Sequence, residues 1–161
     1  MDELMQLARR HKVTVPESLA ADDRDGWLNL LLAEVVEPSL GQDNPEFLYD
    51  YPASQAALAK IGRVTPPVAE RFELYLGGIE VCNGYHELTD ACELKRRIDR
   101  QSLVRAQAGR RPLKQANRLL HAMQQGLPDC AGVALGFDRL VMLATGADSL
   151  AEVMAFPFER A

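Results

Sequence analysis

Two adjacent glycines, Gly77 and Gly78, stand between two segments in which apolar and polar residues alternate. The pair constrains the fold strongly, because glycine adopts the positive φ angles that a two-residue turn between antiparallel strands requires. Such a turn pairs Leu76 with Ile79 and Tyr75 with Glu80. Side chains alternate along a strand, so one face, predicted as the core side, carries Phe72, Leu74, Leu76, Ile79 and Val81. The opposite face carries Glu73, Tyr75, Glu80 and Cys82.

Helical and extended segments surround this hairpin and predict the α+β fold class. Apolar spacing, with proline and glycine breakers, predicts helices over residues 3–11, 26–36, 89–108 and 113–125. A short helix is predicted over 54–60, strands over 47–49 and 133–135, and a last helix from Gly136. We expect a mostly antiparallel sheet flanked by helices. Residues 1–46 form a helical lead-in, and residues 47–161 hold the hairpin, a helical insertion and a closing strand and helix.

Composition excludes several classes of protein. The 161 residues are 47% hydrophobic and contain no run of about 18 apolar residues, so no membrane-spanning segment is expected. The N-terminus lacks the basic start and apolar core of a signal peptide. Cys82, Cys92 and Cys130 show no CxxC spacing, which argues against a disulfide framework and a zinc site. We expect a cytoplasmic protein.

The net charge of −5 conceals a basic segment. Nine of the 18 Lys and Arg residues lie between Lys95 and Arg118, against two acidic residues from Glu93 to Arg118. A solvated helical face accounts for such a segment, and so does a docking surface for an acidic partner, either protein or RNA.

Two carboxylates are candidates for a metal site. In the predicted register Glu73 and Glu80 are diagonal neighbours on one face, with Cβ atoms roughly 7 Å apart. Two carboxylates at that separation can share Mg²⁺, which takes oxygen ligands and usually a nucleotide phosphate as well. Exposed glutamates on a solvated strand face are the alternative.

The segment that follows carries an amide, an aromatic ring and a carboxylate at alternate positions, Asn83, Tyr85 and Glu87. Such a set can hold a ligand with an ammonium group, because the carboxylate pairs with the charge and the ring offers its face. Strict alternation places these side chains opposite Glu80. Either the strand bulges near Gly84, or they line a separate pocket, or they belong to a frayed strand end.

A third group of residues marks a strand-to-helix junction. Gly132, Ala134 and Gly136 keep one strand end low in bulk, so a flat ligand can lie against the backbone. Arg139 falls one turn into the next helix and is predicted to point back toward the strand end. A guanidinium there can bind a polyphosphate.

Together these segments resemble the C-terminal half of the class II aminoacyl-tRNA synthetase core, in its lysine-specific branch. Residues 71–73 and 78–91 look like the hairpin of lysyl-tRNA synthetases, and residues 132–139 look like class II motif 3. The match covers residues 47–161. Within the branch, the chain is most similar to the short paralogues that attach β-lysine to a lysine of elongation factor P. The similarity is carried by segments 47–55, 86–90 and 155–161, and by Ala134, where tRNA-charging enzymes usually have glycine.

The resemblance implies an ATP-dependent ligase that adenylates a lysine-type amino acid and passes it to a protein lysine, with ATP and Mg²⁺ as cofactors. It implies that Glu73 and Glu80 serve Mg²⁺. It implies that ATP contacts Glu80, Val81 and Gly136, and that Arg139 is the catalytic residue and holds the γ-phosphate. It implies an amino-acid pocket lined by Asn83, Tyr85, Glu87 and Ala134. In that pocket Glu87 would face a substrate amine and Ala134 would narrow the floor.

The resemblance also implies two motifs that precede these residues. Motif 1 builds the family's dimer interface, and motif 2 supplies an arginine for the α-phosphate. Neither occurs between Met1 and Gly41. We therefore expect the C-terminal part of a longer, homodimeric enzyme, with an incomplete sheet and no activity of its own. Two alternatives stay open: a piece of a true lysyl-tRNA synthetase that acts on tRNA, and a non-catalytic synthetase-like binding module.

Overall fold

A four-stranded antiparallel sheet forms the centre of the chain. The computed structural model describes residues 2–114 and 116–160. The strands are β1 (Glu46–Pro52), β2 (Val68–Leu76), β3 (Ile79–His86) and β4 (Ala131–Leu135), and they lie in that order across the sheet. With its flanking helices the sheet confirms the predicted α+β class. The predicted ends of the domain, Met1 and Ala161, lie outside the described residues.

Six helices accompany the sheet in the described ranges, namely α1 (Asp2–Arg10), α2 (Arg24–Leu31), α3 (Ala91–Gln107), α4 (Asn117–Gln124), α5 (Phe137–Thr145) and α6 (Leu150–Val153). α2 continues into a short π-helix, Leu32–Val36. The N-cap of α2 is Asp23, whose carboxylate accepts a hydrogen bond from the Gly26 N–H. Residues 54–60 were predicted to be helical, but only the 3-10 turn Ala53–Gln55 forms there.

The hairpin turn forms as predicted. Leu76 pairs with Ile79 and Tyr75 with Glu80, while Gly77 and Gly78 take φ angles of 58° and 76°. One residue later the register shifts, because Leu74 pairs with Cys82 rather than Val81. This β-bulge gives β3 an extra residue and reverses the face of every later side chain.

The bulge corrects two predictions. Of the alternatives left open for this strand, a bulge forms, but between Glu80 and Cys82 rather than near Gly84, and Cys82 consequently shares the apolar face with Leu74. The prediction of the core side is also wrong for β2, although Val81 in β3 is buried as predicted. Glu73 is 5% exposed and Tyr75 1% exposed, whereas Phe72 and Leu74 are only half-buried. The polar face of β2 is therefore the more buried one, since partners from β1 and β3 cover it.

Three small apolar clusters replace a single large core. Tyr51, Ala56, Ala59 and Ala69 form one beside β1, and Ala8, Trp27 and Leu31 form another between α1 and α2. Leu88, Leu94 and Met123 form the third, at the base of α3 and α4. None of the helices in the described ranges is long and apolar enough to cross a membrane.

Candidate functional site

The bulge brings the predicted amino-acid pocket together on one sheet face. Asn83 pairs with Ala134 and Tyr85 with Gly132 across β3 and β4, so these positions share a face. Glu87 joins them, because a Cβ added at Gly132 would collide with the Glu87 Oε1 atom. Glycine at position 132 thus leaves the space that the carboxylate occupies.

A backbone hydrogen bond fixes the main chain at Glu87, beside Gly132. The backbone N–H of Glu87 donates to the Cys130 carbonyl at 2.9 Å. Among the described residues, the Glu87 carboxylate forms no ion pair. A half-buried carboxylate beside an aromatic ring is suited to a cationic ligand, because the ligand would supply the missing charge partner.

Glu73 is the centre of a buried hydrogen-bond network on the same face. Its Oε2 accepts hydrogen bonds from the hydroxyls of Tyr51 at 2.5 Å and Tyr75 at 2.6 Å. Its Oε1 accepts from the Asn83 amide at 2.7 Å and from the Arg71 guanidinium. One carboxylate therefore fixes four side chains from three strands, including the pocket residue Asn83.

The network leaves two buried polar atoms of the described residues without a partner. Arg71 Nε and Asn83 Oδ1 are buried and have no hydrogen-bond partner among the described residues. The Arg71 guanidinium lies 4.2 Å from the centre of the Tyr51 ring and 5.9 Å from that of Tyr85. A buried donor and acceptor left unpaired are costly, and a bound ligand with complementary groups would remove that cost.

Sequence reasoning missed three residues of this network, Tyr51, Arg71 and Tyr75. A local signal was present, since Arg71, Glu73 and Tyr75 alternate and so flank one carboxylate with two donors on the same face. Burial is the main cause that raises the pKa of both tyrosines, and the Glu73 carboxylate raises it further by accepting their protons in hydrogen bonds. Both hydroxyls remain protonated and act as donors.

The predicted nucleotide residues also come together. The Gly136 N–H donates to the Val81 carbonyl at 2.9 Å, which ties the start of α5 to the bulge. Arg139 reaches back from the first turn of α5 and donates to the Glu80 carbonyl at 2.7 Å. It also lies 3.4 Å from the Glu80 carboxylate. The Arg139 side chain is 43% exposed, so its remaining donors face solvent.

The predicted magnesium pair does not fit this arrangement. Each oxygen of Glu73 already accepts two hydrogen bonds inside a buried network, so a metal ion would have to displace them. Glu80 is engaged by Arg139 instead. In the part of the chain that the structure describes, no three His, Cys, Asp or Glu side chains gather as a metal site.

A separate charged cluster lies on the other face. The ring of His86 contacts the carboxylate of Glu70 through Nδ1 and that of Asp129 through Nε2, the latter at 2.6 Å, and Lys60 also pairs with Asp129. These bonds tie β2, β3 and the segment before β4 together. A concavity of about 790 Å³ opens beside the cluster and is bounded by α3. It contains none of the predicted pocket residues.

Comparison with known proteins shows which sequences the chain is similar to. The profile of the family described as tRNA synthetases class II (D, K and N) matches residues 28–160. Curated proteins named elongation factor P--(R)-beta-lysine ligase, from Salmonella gallinarum, Salmonella dublin and Salmonella agona, are 54% identical to the chain over 142 residues. The aligned region is 87% of this chain and 43% of each relative.

Proposed function

The chain belongs to the class II tRNA synthetase family, and from that premise we propose that it carries the amino-acid-binding and ATP-binding part of a ligase. The ligase adenylates a lysine-type amino acid, β-lysine, and transfers it to a lysine of elongation factor P. The name of the Salmonella relatives supports this choice of substrate and acceptor. The chain spans 43% of their length, so the activity of the whole ligase is part of this proposal.

One observation carries the amino-acid part of the proposal. The Glu87 carboxylate, without an ion-pair partner among the described residues, lies on the same face as the Tyr85 ring and Asn83 Oδ1. A substrate ammonium group bound there gains an ionic partner, a ring face and a hydrogen-bond acceptor. Glu87 is the charge partner, and Asn83 and Tyr85 orient the amine.

The methyl group of Ala134 affects which isomer of lysine the pocket accepts. Ala134 pairs with Asn83 and is exposed on the pocket face, so its methyl group forms part of the floor. α-Lysine carries an amine next to its carboxylate and needs more room there than β-lysine does. A difference of one methyl group in a pocket discriminates by about 1–3 kcal/mol.

The ATP-binding end of the site consists of Arg139, Glu80, Val81 and Gly136. The substrate carboxylate attacks the α-phosphorus of ATP, a new P–O bond forms, and the bond to the bridging oxygen breaks to release pyrophosphate. Arg139 binds the γ-phosphate and stabilises the charge that develops on the leaving group. The acceptor lysine amine then attacks the carbonyl carbon, AMP leaves, and the amine proton passes to solvent. Because Glu73 does not fit a metal ligand, no step is assigned to magnesium.

Complementation tests the proposal. The part of the Salmonella gallinarum ligase without a counterpart in this chain is combined with the purified chain, and β-lysine-dependent exchange between ATP and pyrophosphate is measured. We expect exchange with both pieces and none with either alone. We expect Glu87→Gln to abolish exchange because it raises the KM for the amino acid. Glu34→Gln, at an exposed position in the segment after α2, is the matched control. Exchange that is equally fast with Glu87→Gln contradicts the assignment.

The acceptor is tested in the same mixture. Labelled β-lysine is expected to appear on elongation factor P and not on tRNA. Label on tRNA in preference to the protein would favour the alternative of a lysyl-tRNA synthetase piece.

A further inference from the structure

The helical hairpin α3–α4 connects the two strands that line the amino-acid pocket. β3 carries Asn83 and Tyr85, and α3 begins at Ala91, shortly after Glu87. α4 leads back into β4, which carries Ala134. Anything bound to this hairpin is therefore attached to both walls of the pocket through short segments of chain.

Only the base of the hairpin is packed. Leu94 and Met123 are buried there, with Ile98 and Leu120 against them. Leu94 is the one buried residue of α3, which continues for more than two turns beyond Ile98. On that free part Leu103 is 60% exposed and Val104 50% exposed. The outer half of α3 thus presents apolar side chains that nothing in residues 2–114 or 116–160 covers.

The charged residues of the hairpin also differ between its base and its outer part. Near the base, Lys95 pairs with Asp99, while Arg96 and Arg97 both pair with Glu93. Farther out, the described residues place no carboxylate within ion-pair distance of six cations, Arg100, Arg105, Arg110, Arg111, Lys114 and Arg118. The cations of the base are thus paired within the helix, and the outer cations have no ion-pair partner among the described residues.

Specific hydrogen bonds gather three of these cations, Arg105, Arg110 and Arg111, which we call the basic tip. The Arg110 N–H donates to the Arg105 carbonyl at 2.8 Å, and Arg105 Nε donates to the Arg111 carbonyl at 2.9 Å. These bonds fold the chain after α3 back onto its last turn. Like charges held close together repel one another, and an anionic partner relieves that repulsion.

The composition of the hairpin favours a protein over a nucleic acid as that partner. From Ala91 to Gln124 the sequence contains no Phe, Tyr or Trp, the residues on which single-stranded bases stack. It offers instead exposed Leu103 and Val104 next to unpaired arginines. An apolar centre with a charged rim is the usual anatomy of a protein–protein interface.

We propose that the outer half of α3 and the basic tip form the docking surface for an acidic face of the acceptor protein. This inference rests on the proposed function, because it assumes that the acyl group is passed to a protein lysine. Leu103 and Val104 bury apolar area against the acceptor, and the basic tip steers and orients its acidic face. Docking on this hairpin holds the acceptor beside the strands that carry the amino-acid pocket.

Charge reversal tests the surface. Binding of Salmonella elongation factor P to the full chain is measured at low and high NaCl for the wild type and for Arg110→Glu/Arg111→Glu. Both residues are exposed, and the substitution keeps the backbone carbonyl of residue 111, which accepts a hydrogen bond from Arg105. Arg9→Glu/Arg10→Glu, exposed on α1, makes the same change in charge elsewhere. We expect the tip variant to raise Kd at least tenfold at low salt, with a difference that shrinks at high salt, and the α1 variant to leave Kd unchanged.

Several results overturn the docking surface. The proposal is wrong if the wild-type chain does not bind elongation factor P, or if the two double variants change Kd equally. It is also wrong if a duplex or single-stranded RNA probe binds the basic tip in place of the protein, or if the basic tip mediates salt-sensitive self-association. A parallel titration with β-lysine separates this failure from that of the proposed function. If β-lysine binds and the tip is irrelevant, only the docking surface is wrong. If β-lysine does not bind, the proposed pocket is wrong as well.

Discussion

At the scale of single residues, Glu73 organises the pocket wall. A glutamate that is 5% exposed must have its charge satisfied, and here four donors on Tyr51, Arg71, Tyr75 and Asn83 do so. The same bonds orient the Asn83 amide so that its Oδ1 atom remains unpaired at the pocket. We therefore regard Glu73 as a positioning residue for the substrate amine, not as a metal ligand.

Substitution of Glu73 tests that role. Glu73→Gln removes the negative charge and one of the two acceptor oxygens that the four donors share. We therefore expect the free energy of unfolding to fall by about 3 kcal/mol. Glu80→Gln is the matched control and should cost less than about 1 kcal/mol, because its ion pair is partly exposed. Urea unfolding with excess MgCl₂ or EDTA is the measurement. A metal ligand would make the loss depend on magnesium, and we expect no such dependence.

A second residue-scale prediction concerns Ala134. Ala134→Gly removes the methyl group that faces the pocket beside Asn83. The preference for β-lysine over α-lysine should fall by about 1–3 kcal/mol, because the floor then leaves room for an α-amine. The ratio of the two dissociation constants, measured by calorimetry, reports it. Val133→Ala is the control, since Val133 is on the opposite face, and an unchanged ratio in Ala134→Gly would remove Ala134 from the floor.

At the scale of elements, the turn and the strands were predictable, whereas the bulge was not. Gly77 and Gly78 determine their own turn, so the pairs Leu76–Ile79 and Tyr75–Glu80 follow from local chemistry. The extra residue of the bulge, Val81, has no local signature in the sequence. It depends on contacts with α5, where Gly136 binds the Val81 carbonyl.

The burial of the polar face was unpredictable for a related reason. Alternation marks Glu73 as polar and therefore exposed, but its partner Tyr51 lies 22 residues away in β1. Donors that arrive from other strands can only be recognised once the strand order is known. Of the candidate pocket residues, Asn83, Tyr85, Glu87 and Ala134 were predicted individually, and only the bulge explains why they share a face with Glu73.

The cluster around His86 carries an element-scale prediction. Hydrogen bonds to Asp129 and then to Glu70 raise the pKa of His86 above 6.5, against smaller opposing effects of desolvation and of the Lys60 charge. A raised pKa in the folded state means that the stabilisation is complete below about pH 6.5 and is lost as the pH rises through the folded value.

The pH dependence is measured by urea unfolding from about pH 5 to about pH 9. We expect the wild type to be more stable than His86→Gln at the acidic end, and the difference to shrink toward the alkaline end. His121→Gln, exposed on α4, should show no such trend. A difference that grows with pH would mean that the neutral ring is the stabilising form.

At the scale of the whole molecule, one sheet face is short of cover. Phe47, Tyr49, Val133 and Leu135 lie on the face opposite the pocket, and each is more than half exposed. The two outer strands, β1 and β4, also have edges that no other described strand pairs. Exposed apolar area of this kind drives association.

Self-association through this face is the prediction at that scale. Val133→Thr/Leu135→Thr keeps the strand propensity but removes apolar contact, so we expect the dissociation constant of the self-associated form to rise about tenfold. Sedimentation measures it. Val64→Thr, an exposed valine in the loop before β2, is the control. A compact monomer with high, cooperative thermal stability would contradict the prediction.

The central claim is that Asn83, Tyr85, Glu87 and Ala134 form a pocket for a lysine-type amine. Titration of the isotope-labelled chain with β-lysine, followed by NMR, tests it most directly. We expect saturable shifts at the backbone amides of these residues and of Gly132, and we expect Glu87→Gln to abolish them. Shifts confined to the concavity beside His86, or no shifts at saturating β-lysine, would contradict it.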